Sequence, residues 1–171
     1  MESKQRAFLQ QAAAAARAAG HLFPEHAACE AALESNWGQS RLAREGNNLF
    51  GQKQSHPPLT GTGTLEIETR EYLHGEWVQV PAQWVKFSSW AECFRARMAL
   101  LEHLRHAYPQ YAQALAAASG EAFVEAVSVS WSTDPDRARK VLSVYRAHSD
   151  AFKALPAQLG GNHAAPAVLS V

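Results

Sequence analysis

The chain lacks any charge imbalance: its 16 lysines and arginines are matched by 16 aspartates and glutamates. A net charge of zero removes the global electrostatic argument for binding nucleic acid or an anionic membrane surface, so partners have to be argued locally. Long hydrophobic runs are also missing. Ala12 to Ala16 is too weakly apolar, and too quickly closed by Arg17, to serve as a signal peptide or membrane span. The expectation is a protein made in the cytoplasm that needs release or export to act outside it. Cysteine is scarce. Cys29 and Cys93 fall in separate helical runs without ligand-like spacing, which points to core packing and to no required disulfide. His103 and His106 lie three apart on one run, but no third ligand is spaced to complete a site, so no metal is expected. No internal repeat and no separate wall-binding module is expected from the pattern of these residues.

What is present is 171 residues, 47% of them apolar, enough for one domain with its own core. That domain is expected over residues 1–153, with 154–171, small residues around Gly160-Gly161, as a flexible tail. Helical patterning covers 4–19, the run from Pro24 to about Asn36, a short turn at 40–45, Trp90 to Tyr108, Tyr111 to Ala118, Glu121 to Ser130, and a final run opened by Asp134-Pro135. Ser89-Trp90-Ala91-Glu92 reads as a capping box. The stripe Trp90, Phe94, Met98, Leu101, Leu104 and Tyr108 reads as core. Gln54 to Gly63 reads as a loop. Thr64 to Leu73 and Glu76 to Phe87 read as the strands of a hairpin turning at His74-Gly75.

Two glutamates stand out against this background. Glu34 ends an apolar helix just before Gly38, where the negative end of the helix dipole and the neighbours Leu33 and Trp37 would favour its neutral form, as a general acid requires. Position alone leaves a second reading open, a solvated residue at a frayed helix end. Glu71 shares a strand face with Leu65, Ile67, Thr69 and Leu73. With a two-residue turn it lies opposite Val78, and Thr69 lies opposite Val80, so a carboxylate interrupts an apolar face. Such a charge is either an edge device against aggregation or a site residue, and Glu68, on the polar face, is its competitor.

Ala31-Ala32-Leu33-Glu34-Ser35-Asn36-Trp37-Gly38-Gln39-Ser40, followed by Asn47-Asn48-Leu49-Phe50-Gly51-Gln52-Lys53, resembles the family 73 glycoside hydrolases, peptidoglycan glucosaminidases. In that family the glutamate of Ala-x-x-Glu-Ser-x-Trp-Gly is the catalytic acid, and it maps onto Glu34. A second family glutamate sits on a hairpin shortly before a glycine turn, as Glu71 does in Thr69 to Gly75. Trp131 to Val141 is similar to Tyr-Ala-Thr-Asp-Pro-x-Tyr-Ala-x-Lys-Leu, with two departures: Trp131 stands for the first tyrosine and Arg137 for the second. Tryptophan cannot accept a hydrogen bond there, although it can stack on a sugar.

The resemblance, covering about residues 5–152, implies an α+β, lysozyme-like domain with a helical lobe, a hairpin lobe and a cleft between them. The implied reaction is hydrolysis of the β-1,4 bond after N-acetylglucosamine in bacterial peptidoglycan strands, with Glu34 and Glu71 catalytic. Trp37, Asn48, Phe50, Tyr72, Trp77, Trp131 and Asp134 are the implied substrate-binding residues, core packing being the alternative for the aromatics. No cofactor, metal or membrane span is implied, and a monomer is expected. A lytic transglycosylase, a muramidase and a glycan-binding module without turnover are the rival readings. The absence of an anchor module favours a free lysin, such as a phage endolysin, acting on the wall after release.

Overall fold

Alanine governs how the helices meet. Phe8, Leu9, Ala12, Ala13 and Ala16 of α1 (Glu2–Ala18) are buried, as are Ala27, Ala28, Ala31 and Ala32 of α2 (Pro24–Glu34), so the two helices approach closely over side chains with little rotamer entropy to lose. The computed structural model describes residues 2–55, 63–73 and 75–153, and of residues 69–73 the backbone only. The expected loop at 54–63 lies mostly, and His74 and the 154–171 tail wholly, outside the described residues.

The order continues α3 (Arg41–Gly46), β1 (Gly63–Leu73), β2 (Glu76–Lys86), α4 (Trp90–Leu104), α5 (Pro109–Leu115), α6 (Gly120–Trp131) and α7 (Arg137–Lys153). α1 packs on α2, α4 and α7, while α2 also meets α6 and α7. Phe94 and Leu101 from α4, Phe123, Val124 and Val127 from α6, and Val141 from α7 fill the space among them. Each such apolar side chain contributes roughly 1.5–3 kcal/mol on burial. Cys29 and Cys93 are both buried and free.

Several boundaries differ from the sequence reading for local reasons. α4 stops at Leu104, short of Tyr108, and Pro109 opens α5, since its missing N–H is harmless at a first helical position. Tyr108, expected in the core stripe, is exposed, and Tyr111 is buried instead. Gly120, not Glu121, is the first residue of α6: a Cβ there would fall 2.2 Å from Nδ1 of His26, whose ring stacks on Tyr145. Ser89 caps α4 through Glu92 N–H (3.2 Å), but the Glu92 carboxylate returns to Ser88 N–H (2.6 Å), so the expected box closes one residue early. α7 begins at Arg137, because the Asp134 side chain accepts from Asp136 N–H (3.0 Å) and spends residues 134–136 in a turn.

The hairpin has the expected register, with Glu71 opposite Val78 and Thr69 opposite Val80. Leu65, Ile67, Val78, Val80, Ala82 and Trp84 form its half-buried face, and Glu66, Glu68, Trp77, Gln79, Pro81 and Gln83 its exposed one. Among the described residues, α3 is the helix whose backbone comes close to it. At its root Val85 and the following Phe87 are buried in the core, and hydrogen bonds join the backbone there: Phe87 N–H bonds Gly46 O at 2.8 Å, Val85 N–H bonds Gln52 O at 3.0 Å, and Gln54 N–H bonds Gln83 O at 2.8 Å.

Candidate active site

Glu34 is the last residue of α2, and the few residues that follow it fix where it points. Asn36, Trp37 and Gly38 have φ of 51°, 57° and 75°. For the two non-glycine residues this left-handed conformation costs about 1–2 kcal/mol each, so it persists only where surrounding contacts dictate it. The buried Ser35 hydroxyl donates to Ala31 O (2.5 Å) and accepts from Gly38 N–H (2.8 Å), and Trp37 N–H bonds Ala32 O at 2.8 Å. A Cβ on Gly38 would stand 2.9 Å from the Phe8 ring. The run Glu-Ser-Asn-Trp-Gly is therefore a helix-ending device that presents a carboxylate.

The neighbours of that carboxylate are not those expected. Leu33 is 37% exposed, and Trp37 turns edge-on to Phe8 and His148. Beside Glu34 is a guanidinium: Arg137 Nε donates to Glu34 Oε1 at 2.8 Å. Arg137 also donates from Nη1 to Ser128 Oγ (2.8 Å) and from Nη2 to Glu30 Oε1 (3.0 Å). Glu30, one helical turn before Glu34, is fully buried and takes a bidentate pair from Arg97 at 2.7 and 2.8 Å. Arg97 in turn lies over the rings of both Phe50 (4.3 Å) and Trp131 (4.7 Å), which meet edge to face. Burial pushes the Glu30 carboxyl up, but the charge and hydrogen bonds of Arg97, then Arg137 and His21, outweigh it and hold it at about 2. Removing one partner from such a cluster costs about 3–5 kcal/mol, because it strands a buried charge.

His21 borders the same cluster. Its ring packs edge-on to Phe94 and Phe123, Nδ1 accepts Phe23 N–H at 3.1 Å, and Nε2 has no partner among the described residues. Burial first, and the Arg97 charge second, push its pKa down to about 4 from 6.5, against the pull of Glu30. The unfolded chain therefore binds a proton on His21 between pH 6.5 and 4 and the folded chain does not. Stability is full above that window and falls by about 3 kcal/mol as the pH drops through it. Glu30 adds a lower window, from about pH 4.5 to 2, again with loss on acidification. Urea unfolding midpoints measured from pH 7 to 4 should fall for the wild type and fall less for His21→Asn. Parallel slopes would remove His21 as the cause.

Glu34 edges a cleft of about 840 Å³ whose walls include Phe50, Gln52, Lys53, Trp84, His103, Trp131 and Thr133. Apolar ring faces suit the apolar faces of pyranoses, and polar groups among them suit hydroxyls. Trp84 was not singled out from sequence. Strand parity would have found it, since it shares the hairpin face that carries Glu71. Glu30 and Arg97 were also missed, and the signal was a glutamate inside an alanine-rich buried turn.

The other sequence candidates are placed as follows. Phe50 and Trp131 line the cleft. Asn48 does not: it is buried, and its amide bonds Gln52 O and Val85 O, both at 2.9 Å, while its oxygen accepts Gln52 N–H. Its work is to hold the loop that carries Phe50 against the hairpin root. Trp37 is on the side of Phe8, outside the cleft lining. Trp77 is exposed on the hairpin face opposite that of Trp84, and Tyr72 is paired with it in the backbone register. Asp134 caps its turn, meets Lys140 Nζ at 2.6 Å, and borders an adjoining cavity that shares Trp131, Ser132 and Thr133 with the cleft. Glu71 has its backbone in β1 opposite Val78, and its side chain lies outside the described residues.

A family model described as mannosyl-glycoprotein endo-beta-N-acetylglucosaminidase matches residues 10–150. The peptidoglycan hydrolase FlgJ of Escherichia coli strain K12 is 37% identical over 123 residues, 67% of this chain and 36% of that protein. The exo-glucosaminidase LytG of Bacillus subtilis strain 168 is 30% identical over 126 residues, 72% of this chain and 43% of that protein. The chain thus spans between a third and a half of the length of these relatives. Among solved structures, the C-terminally truncated glycoside hydrolase domain of Salmonella typhimurium FlgJ aligns with a TM-score of 0.68 at 33% identity, over 85% of this chain and 98% of that one.

Proposed function

We propose, because the chain belongs to the glucosaminidase family, family 73 of the glycoside hydrolases, that its cleft hydrolyses the β-1,4 bond after N-acetylglucosamine in bacterial peptidoglycan. The observation that carries the reading is Glu34, held at a strained helix end on the edge of a cleft walled by Phe50, Trp84 and Trp131. Its other oxygen, Oε2, is the one that would protonate the departing glycosidic oxygen. Glu71, on the hairpin face it shares with Trp84, would orient water or stabilise the oxocarbenium-like centre. The 2-acetamido group of N-acetylglucosamine lies beside the reacting carbon and can itself attack, which relaxes the need for a close protein nucleophile. The protein would meet this substrate in the cell wall, after release or export.

Product chemistry tests the reading. Purified peptidoglycan is digested and reduced with borohydride, and the reduced sugar is identified by mass spectrometry. Reduced N-acetylglucosamine ends are expected. Reduced muramic acid ends would make the protein a muramidase, anhydromuramic ends a lytic transglycosylase, and bound but uncut strands a glycan-binding module.

A further inference from the structure

Arg137 occupies the place of the second tyrosine in the motif that residues 131–141 resemble, and the fold gives it a task a tyrosine could not perform. We propose that Arg137 is a positioning residue for the acid, holding Glu34 Oε1 so that Oε2 faces the cleft, and that Glu30 and Arg97 hold Arg137 in turn. The proposal rests on the reading of Glu34 as the acid.

Three observations support it. The guanidinium has no freedom left, with Nε, Nη1 and Nη2 directed to Glu34, Ser128 and Glu30 at 2.8, 2.8 and 3.0 Å, and Arg137 is 1% exposed. A planar fork spanning three fixed acceptors sets the angle of the carboxylate as well as its distance. The chain of contacts then continues through Glu30 and Arg97 to Phe50 and Trp131, so the acid and two aromatic walls of the cleft are tied to one rigid object.

The charges agree with this role. Glu30, Glu34, Arg97 and Arg137 sum to zero when Glu34 is ionised. In the reaction the proton of Glu34 passes from Oε2 to the glycosidic oxygen, the electrons of the breaking bond leave on that oxygen as a hydroxyl, and a carboxylate remains at Glu34. The cluster is neutral in the state that this transfer produces, and a proton from the attacking water restores the start. Arg137 is thus arranged to meet the charge that develops, without moving.

Steady-state kinetics on soluble glycan strands separate kcat from KM. R137A is expected to lower kcat about 30-fold with KM within about twofold, the pattern of a misaimed acid at an intact cleft. R137K, which keeps the charge but not the fork, is expected to recover part of that loss. A folded R137A with kcat within about threefold of wild type, or a loss carried in KM, would overturn the proposal. Where R137A does not fold, R137K decides: a kcat about threefold or more below wild type at constant KM upholds it, and an unchanged kcat overturns it. The pairing is also read without turnover, because the 15Nε–H resonance of Arg137 should be protected from exchange and should move in E34Q. An unmoved resonance counts against the pairing. If the wild type leaves peptidoglycan uncut, the functional reading fails, while a resonance that moves still upholds the pairing.

Discussion

Glu34→Gln is expected to lower wall lysis by about 10²–10⁴-fold, the range that a positioned general acid contributes, and to leave the fold intact. Glutamine keeps the length of the side chain and an oxygen to accept from Arg137 Nε, now 2.8 Å from Oε1, so the three-way hold on the guanidinium survives. What is lost is the proton. Turbidity of permeabilised cells reads the activity, and circular dichroism with thermal melting reads the fold. Residual lysis above about a tenth of wild type would remove Glu34 as the acid.

Glu71→Gln should lose at least about 10²-fold, and Glu68→Gln should stay near wild type. The contrast follows from register. Strand alternation assigns Glu71, whose backbone pairs with Val78, to the face of Trp84 in the cleft wall, whereas Glu68, opposite Pro81, is exposed. Both substitutions remove one negative charge from the same ribbon, so a non-specific electrostatic effect would move them together. Lysis assays on the two variants side by side separate the cases, and equal losses would take the second catalytic role away from Glu71.

The parts of the fold that were legible in the sequence are those set by short-range chemistry. A two-residue turn at His74-Gly75 fixes pairing by counting, and the strands pair as counted. Pro24 at the start of α2 and the glycine after Trp37 bracket the helix that carries Glu34. The misread boundaries each depended on a contact distant in sequence or on competing local hydrogen bonds. α6 opens one residue earlier than its pattern suggests, at Gly120, because nothing nearby in sequence announces the His26 ring that excludes a Cβ. At Asp134, capping and turn formation use the same side-chain oxygen, and the turn won.

The site was legible where one residue carried the chemistry and illegible where several did. Glu34 stood out because a carboxylate closes an apolar helix. Arg137 was noted only as a departure from a motif, since its partners Glu30, Ser128 and Glu34 are separated from it by as many as 107 positions in the chain. Asn48 looked like a ligand because it is polar and lies beside Phe50, yet its hydrogen bonds go to backbone at Gln52 and Val85. Polarity in a loop marks a residue with hydrogen bonds to make, and burial decides whether they are made to the protein or to something else.

The attachment of the hairpin has a mechanical consequence. Among the described residues, backbone hydrogen bonds tie the ribbon to the rest of the protein no further out than Gln83, and the turn lies some seven residues beyond it. At ~3.3 Å per residue, that is a lever of roughly 23 Å clamped at one end. A rotation of about 10° at the clamp would swing the turn through ~4 Å, and Glu71 through a little less, while Glu34 stays fixed in the helical body. The position of the ribbon's far end is then governed by bending stiffness at its root, where Gly46 O, Asn48 and the Phe87 backbone are joined by hydrogen bonds. Substitutions there would alter catalysis at a distance, as loosening a hinge changes where a jaw closes.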